Sequence, residues 1–144
     1  GIESASPEVL KDINRFTVDQ DDQYRVIKKL VENGIYVKSM FMFGNPEDNE
    51  KTIKHTIEYS LKLPHQLVQY SVFTPYPGTP IYSFYKDKIK EKKLEKFNQY
   101  NLIFDHKNLD NEKITKLKNY AYKRFYFRFK NIPIIFKSFL SLIR

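Results

Sequence analysis

Apolar residues recur along this chain with two different periods, and the switches between them lay out its elements. Val9, Leu10 and Ile13 stand three and four apart. That spacing predicts a short helix over 7–14, with Ser6 as its cap and Pro7 at the first helical position. Tyr24, Ile27, Leu30 and Val31 repeat the pattern. They predict a helix over 18–33, capped by Thr17 and ended by Gly34 in a left-handed conformation. Residues 35–43 are apolar for most of their length, as a strand covered on both faces would be. Gly44 and Pro46 break this run, and a helix over 49–63 follows, packing through Ile53, Ile57 and Leu61 and stopping at Pro64. Residues 67–74 read as the next strand, with Gln69 and Ser71 on one face. A helix separates the two strands, so right-handed βαβ geometry makes them parallel neighbours.

The rest of the chain is less regular. Residues 2–4 read as a strand end, and Pro75, Pro77, Gly78 and Pro80 make 75–80 a stiff, non-helical loop. Residues 82–100 predict a strongly charged helix with a mostly solvated face, and 101–110 a loop. A helix over 111–130 packs through Ile114, Leu117, Ala121 and Phe125. Tyr120, Tyr122, Tyr126, Phe127 and Phe129 make it apolar around much of its circumference. Pro133 interrupts, and 134–144 then alternates apolar and basic residues at helical spacing.

Charge changes this picture at one end only. Residues 111–144 hold nine Lys and Arg against one acid, Glu112, and so carry the whole formal net charge of +8. The first 110 residues balance, so an acidic partner should meet the tail and not the body. The tail leaves three readings open. Docking onto the barrel or a neighbouring domain leads, an anionic membrane surface contacted by the apolar face follows, and nucleic acid comes last. The chain has no Cys, which excludes disulfides and thiolate-held metals within these residues. No apolar run approaches the roughly 20 residues of a spanning helix, and no signal peptide is visible. A cytoplasmic location, peripheral to the membrane if the tail binds lipid, is the expectation. The opening Gly1-Ile2-Glu3-Ser4 places a strand at the first residue, and three strand signals are too few to close a parallel barrel. Both features predict a piece of a larger domain.

The junction at Gly44 is the first place to look for chemistry. In parallel α/β folds the loop after a strand's carboxyl end is where ligands bind. Gly44 lets the backbone turn or approach a ligand closely. His55, His65 and His106 stand apart with no second ligand at metal-binding spacing. There is no Ser/His/Asp or phosphate-loop pattern.

Taken together, several stretches resemble the radical S-adenosylmethionine (SAM) enzymes. They are Gly1-Ile2-Glu3-Ser4, Glu8-Val9-Leu10, Ile13-Asn14-Arg15, the run from Gly44 to Ile53 that includes Asn45-Pro46-Glu47-Asp48, and the Pro-Tyr-Pro-Gly-Thr-Pro loop from Pro75 to Pro80. The likeness is closest to the cobalamin-domain branch that includes the anaerobic Mg-protoporphyrin monomethyl ester cyclases. It runs over residues 1–85, and 97–130 resembles that branch's C-terminal segment. Two positions depart from its pattern: Glu47 stands where Gly is usual, and Met40 where Gly is common.

The resemblance implies an α/β fold, half of a partial (β/α) TIM-like barrel. Residues 1–85 would hold its last three parallel strands, 86–130 a helical extension and 131–144 a basic amphipathic tail. It implies SAM bound beside a 4Fe–4S cluster, electron transfer to SAM, and a 5′-deoxyadenosyl radical that abstracts a substrate hydrogen. Glu3 and Ser4 would meet the ribose, Arg15 the methionyl carboxylate, and Met42, Gly44, Val72 and Thr74 the adenine. The three-cysteine cluster loop would lie in the upstream half of the barrel, this segment's first partner, and a cobalamin domain upstream is a property of the branch. The substrate is not legible in these residues. The competing reading is a non-catalytic remnant or binding module that uses the basic tail on membrane or nucleic acid.

Overall fold

A computed structural model describes residues 1–16 and 19–128. Among these residues, five α-helices and two strands follow one another: α1 (Pro7–Asp12), α2 (Gln20–Glu32), β1 (Lys38–Phe43), α3 (Glu50–Lys62), β2 (Leu67–Val72), α4 (Pro80–Tyr85) and α5 (Asn111–Tyr126). β1 and β2 are parallel neighbours, in register from Lys38 opposite Leu67 to Phe43 opposite Val72. A third segment joins the far side of β1 through a single parallel bridge between Glu3 and Phe41. The fold is therefore α/β, with a two-stranded parallel sheet, one bridged extension and covering helices.

Local chemistry explains most element ends. Asn49 caps α3 by accepting from the Lys51 and Thr52 amides, while the Thr52 hydroxyl accepts from the Asn49 amide. This reciprocal capping box satisfies donors that the first turn of a helix leaves free. Gly34 has φ +79. Its N–H reaches Val31 O at 3.0 Å, and the next N–H, from Ile35, reaches Leu30 O at 3.1 Å. That pair of bonds is a Schellman ending, which needs a residue in the left-handed region.

Five expectations are corrected. The cap of α2 is Asp19, whose carboxylate accepts from the Asp21 and Asp22 amides; Thr17 and Val18 lie outside the described residues. β1 begins at Lys38 and not at residue 35, and Ile35 and Tyr36 are exposed. It is covered on one face, not two: burial alternates along both strands. The charged helix over 82–100 does not form. After α4 the chain makes two single 3₁₀ turns, Lys86–Lys88 and Leu94–Lys96, and between them Ile89 bridges antiparallel to Phe104. Lys90 N–H donates to Ile103 O and Asp105 N–H to Lys88 O. Six lysines in 86–96 leave no apolar stripe to hold a helix against the core, so pairing with 103–105 wins. Finally, α5 ends at Tyr126, with Phe127 at its C-cap. The expected amphipathic tail over 131–144 lies outside the described residues.

The main core sits between the sheet and the α3–α5 layer. Phe41, Phe43, Val68, Tyr70 and Val72 from the strands meet Ile53, Ile57 and Leu63 from the α3 region, and Ile114, Leu117, Ala121 and Phe125 from α5. The four α5 positions are those predicted by spacing. A second, smaller cluster of Phe73, Tyr85, Ile103 and Phe104 gathers Met42, Ile89 and Phe97. Leu102 packs against both clusters.

Candidate functional site

The carboxyl ends of the three parallel segments lie together, and the loops that leave them carry the residues singled out above. Ile2 and Glu3 both donate their N–H to Met40 O, at 2.9 and 3.1 Å, and Glu3 O accepts from Met42 N–H at 2.8 Å. Glu3 takes φ +66, a left-handed conformation that is uncommon and costly for a side chain of its size. Its carboxylate lies 3.3 Å from the Arg15 guanidinium, with side-chain exposures of 17% for Glu3 and 59% for Arg15.

Arg15 is delivered there by the end of α1. Asn14 adopts φ +53, its N–H donates to Lys11 O, and Arg15 N–H donates to Leu10 O at 2.8 Å. This is a second Schellman ending, with Asn in the left-handed place that Asn tolerates. It turns the chain back toward Glu3.

Ser4 goes elsewhere. It is buried, its hydroxyl lies 3.2 Å from Thr56 Oγ1, and it accepts from Ser6 N–H; Thr56 Oγ1 also accepts from Ala5 N–H. The chain leaving the first segment is thus fastened to α3. Both main-chain groups of Met42 are engaged: its N–H with Glu3, and its C=O with the Asn45 side-chain amide at 2.8 Å. Gly44 has φ +77, and a Cβ there would lie 2.7 Å from Ile114 Cδ1 and 3.5 Å from Leu102 Cδ1. Its missing side chain makes room for α5 and for the loop before it.

Val72 and Thr74 help to close the outer edge of β2. Val72 N–H donates to Gln99 O at 2.7 Å, and the Thr74 hydroxyl donates back to Val72 O at 3.0 Å. Tyr70 N–H donates to the Tyr122 hydroxyl at 3.0 Å, and that hydroxyl reaches Tyr70 O at 3.4 Å. The Tyr126 hydroxyl reaches Val68 O at 3.4 Å. An unpaired strand edge invites another strand; here two tyrosines of α5, one backbone carbonyl and a threonine occupy it. Tyr70 itself is so buried that its hydroxyl is pushed up to about 12, and it pairs with Ser60 Oγ.

Sequence reasoning missed the polar knot between Gly44 and α3. Asp48 is 1% exposed. Its carboxylate accepts from the backbone and side-chain amides of Asn45 and from the Thr52 hydroxyl. Burial raises the Asp48 pKa above the ordinary 3.8, and the bonds from Thr52 and Asn45 offset this only in part. An Asn and an Asp flanking Pro46 are a turn signal that could have pointed here. His106, which reaches Asn45 O through Nε2 at 2.8 Å, lies 61 residues away and gave no local signal.

Seven predicted residues therefore divide. The structure joins Glu3 to Arg15 by their side chains and to Met42 by backbone. Gly44, Val72 and Thr74 lie by the next two strand ends, and Ser4 turns to α3.

No family model matches the chain. It is 29% identical over 127 residues to the bacteriochlorophyllide d C-12(1)-methyltransferase of Chlorobaculum tepidum, covering 85% of this chain and 28% of that protein. It is 23% identical over 126 residues to the anaerobic magnesium-protoporphyrin IX monomethyl ester cyclase of Rubrivivax gelatinosus, covering 88% of this chain and 22% of that protein. These relatives are radical SAM enzymes of the cobalamin branch, and the likeness to them runs over most of this chain. An uncharacterized methyltransferase of Pyrococcus horikoshii is 31% identical over 132 residues, covering 89% of this chain and 28% of that protein. The chain thus spans about a quarter of the length of the curated relatives it matches. Among its described residues, no helix is long and apolar enough to cross a membrane.

Proposed function

We propose that this chain forms the SAM-facing wall of a radical SAM catalytic domain, supplying the last three strands of a partial (β/α) barrel. The observation that carries the reading is Glu3. A carboxylate is held at a left-handed backbone position, on the last residue paired to β1, with Arg15 beside it. Strain of this kind persists where the surroundings enforce it, and it concentrates at binding sites. The closed edge of β2 supports the reading further, because a barrel ending there stays open on that side.

The residues present would fit SAM along its length, from the methionyl carboxylate to the adenine. Glu3 would accept from the ribose hydroxyls, and Arg15 would pair with the methionyl carboxylate, a geometry that guanidinium serves well. Ser4 would hold the Glu3 turn on α3, and Met42, Gly44, Val72 and Thr74 would form the wall beside the adenine. In the assembled protein, SAM and a 4Fe–4S cluster held by the upstream half would supply the radical chemistry. This segment binds and orients; its sequence holds no Cys to carry the cluster. The alternative, a remnant or binding module acting through the basic tail, rests on residues outside those described. The relatives named as methyltransferases and cyclases make a methyl transfer or a ring closure the reaction classes to test first.

The decisive experiment uses the protein extended upstream and reconstituted without oxygen. Glu3→Ala should weaken SAM binding by about 1.5–3 kcal/mol, the cost of losing hydrogen bonds to a charged group, while cluster content stays constant. Unchanged SAM affinity in that variant removes Glu3 from the site.

A further inference from the structure

Three consecutive side chains of the segment before α5 take hold of the loop that leaves β1. His106 Nε2 lies 2.8 Å from Asn45 O. Lys107 Nζ lies 2.5 Å from Glu47 Oε2. Asn108 Nδ2 donates to Asp48 O at 3.0 Å. A carbonyl can only accept, so Nε2 carries the proton. The other ring nitrogen, Nδ1, accepts from Asn108 N–H at 3.1 Å, which fixes the same tautomer from the other side. The Asn45 carbonyl already closes the turn by accepting from Asp48 N–H at 2.8 Å, so His106 grips the group on which the turn is built. Lys107 acts more widely. Burial and then the nearby Glu47 raise the Asp12 carboxyl, and the Lys107 charge offsets part of that rise.

We propose that residues 106–108 are a three-point clamp on the loop after β1, with His106, as the Nε2–H tautomer, its positioning residue. The clamp sets where Gly44 and the start of α3 stand relative to the strand ends. That these strand ends face SAM rests on the reading above; the clamp itself does not. His106 has a partner on each ring nitrogen.

The test begins with the whole chain and no ligand. Ring nitrogen shifts in wild type should report the Nε2–H tautomer. In His106→Ala, amide exchange at Asp48 and Asn108 should quicken about three- to tenfold, the size of one net hydrogen bond, and His106→Gln should return it to within about twofold. The Ile57 amide, deep in α3, should be unmoved by either change. An Nδ1–H tautomer, unaltered exchange in His106→Ala, or a glutamine variant as fast as the alanine one overturns the clamp. In the extended protein, SAM affinity should fall in His106→Ala and recover in His106→Gln. A wild type that keeps its exchange protection but binds no SAM refutes the cofactor reading and leaves the clamp standing.

Discussion

The two faces of the β1–β2 sheet share one backbone and one register, yet they meet opposite surroundings. On one face Phe41, Phe43, Val68, Tyr70 and Val72 lie beneath α3 and α5, and Phe41 is 0% exposed. On the other, Lys38, Met40, Leu67, Gln69 and Ser71 stay open or half-open, and Met40 is 40% exposed. Only toward the carboxyl end does the second cluster cover that face, over Met42 and Phe73. Period-two alternation sorts the side chains, but it does not say which face acquires a partner. The covered face belongs to this chain's own core. The open one is covered by nothing among the described residues over Lys38, Met40 and Leu67.

The largest test of that contrast compares neighbours on β1. Phe41→Ala should destabilise the chain by about 3–5 kcal/mol, as buried aromatic truncations do. Met40→Ala should stay within about 0.5 kcal/mol, as exposed changes usually do. Urea unfolding of both variants decides it, and equal losses would mean that the open face is covered in solution.

Gly44→Ala probes the point where Leu102 and Ile114 converge on the strand end. The new methyl group would sit 2.7 Å from Ile114 Cδ1 at φ +77. Strain and overpacking together should cost about 2–4 kcal/mol. Adding Ile114→Val should recover the packing part and not the conformational part, so a complete rescue in thermal melts would show that φ is free to change there.

At the edge of β2, Tyr122→Phe leaves Tyr70 N–H without its acceptor. The expected loss is about 1–3 kcal/mol for one unsatisfied buried group. Sedimentation velocity should also detect concentration-dependent association through the bared edge. A stable, strictly unchanged sedimentation profile would show that something else guards the strand.

The smallest effect concerns Asp48. Its folded pKa lies above the ordinary 3.8, so the folded state takes up this proton before the unfolded one does. Its contribution to stability therefore grows as pH falls from neutrality and levels off below the ordinary value. Asp48→Asn, which can keep the bonds from Asn45 and donate to Thr52, should remove that slope with little loss at neutral pH. Identical stability–pH curves for the two proteins would contradict the burial.

Several features were legible because they are local. The α5 stripe of Ile114, Leu117, Ala121 and Phe125 obeys helical spacing, and all four residues are buried. The parallel pairing of 67–72 with 38–43 followed from the intervening helix. The strand end at Glu3 and the turn at Gly44 were legible, the first from the Gly-Ile-Glu-Ser motif and the second because a glycine after an apolar run is a local signal. Their partners were not. Ser4 meets Thr56 52 residues away, and Asn45 meets His106 61 residues away; no local spacing encodes such distances. The helix expected over 82–100 failed for the same reason: its backbone found partners at 103–105 that charge patterning could not reveal.

By itself, then, the sequence determined what short-range sterics and periodicity control: the cores of most helices, the two parallel strands, and the left-handed turn at Gly44. The tertiary structure alone decided which sheet face is covered and how the edge of β2 is closed by Tyr122 and Tyr126. It also decided which side chains hold the loop after β1. These are contacts between segments distant in sequence, and their energy comes from packing and from polar groups that lose water together, neither of which exists until the chain has folded.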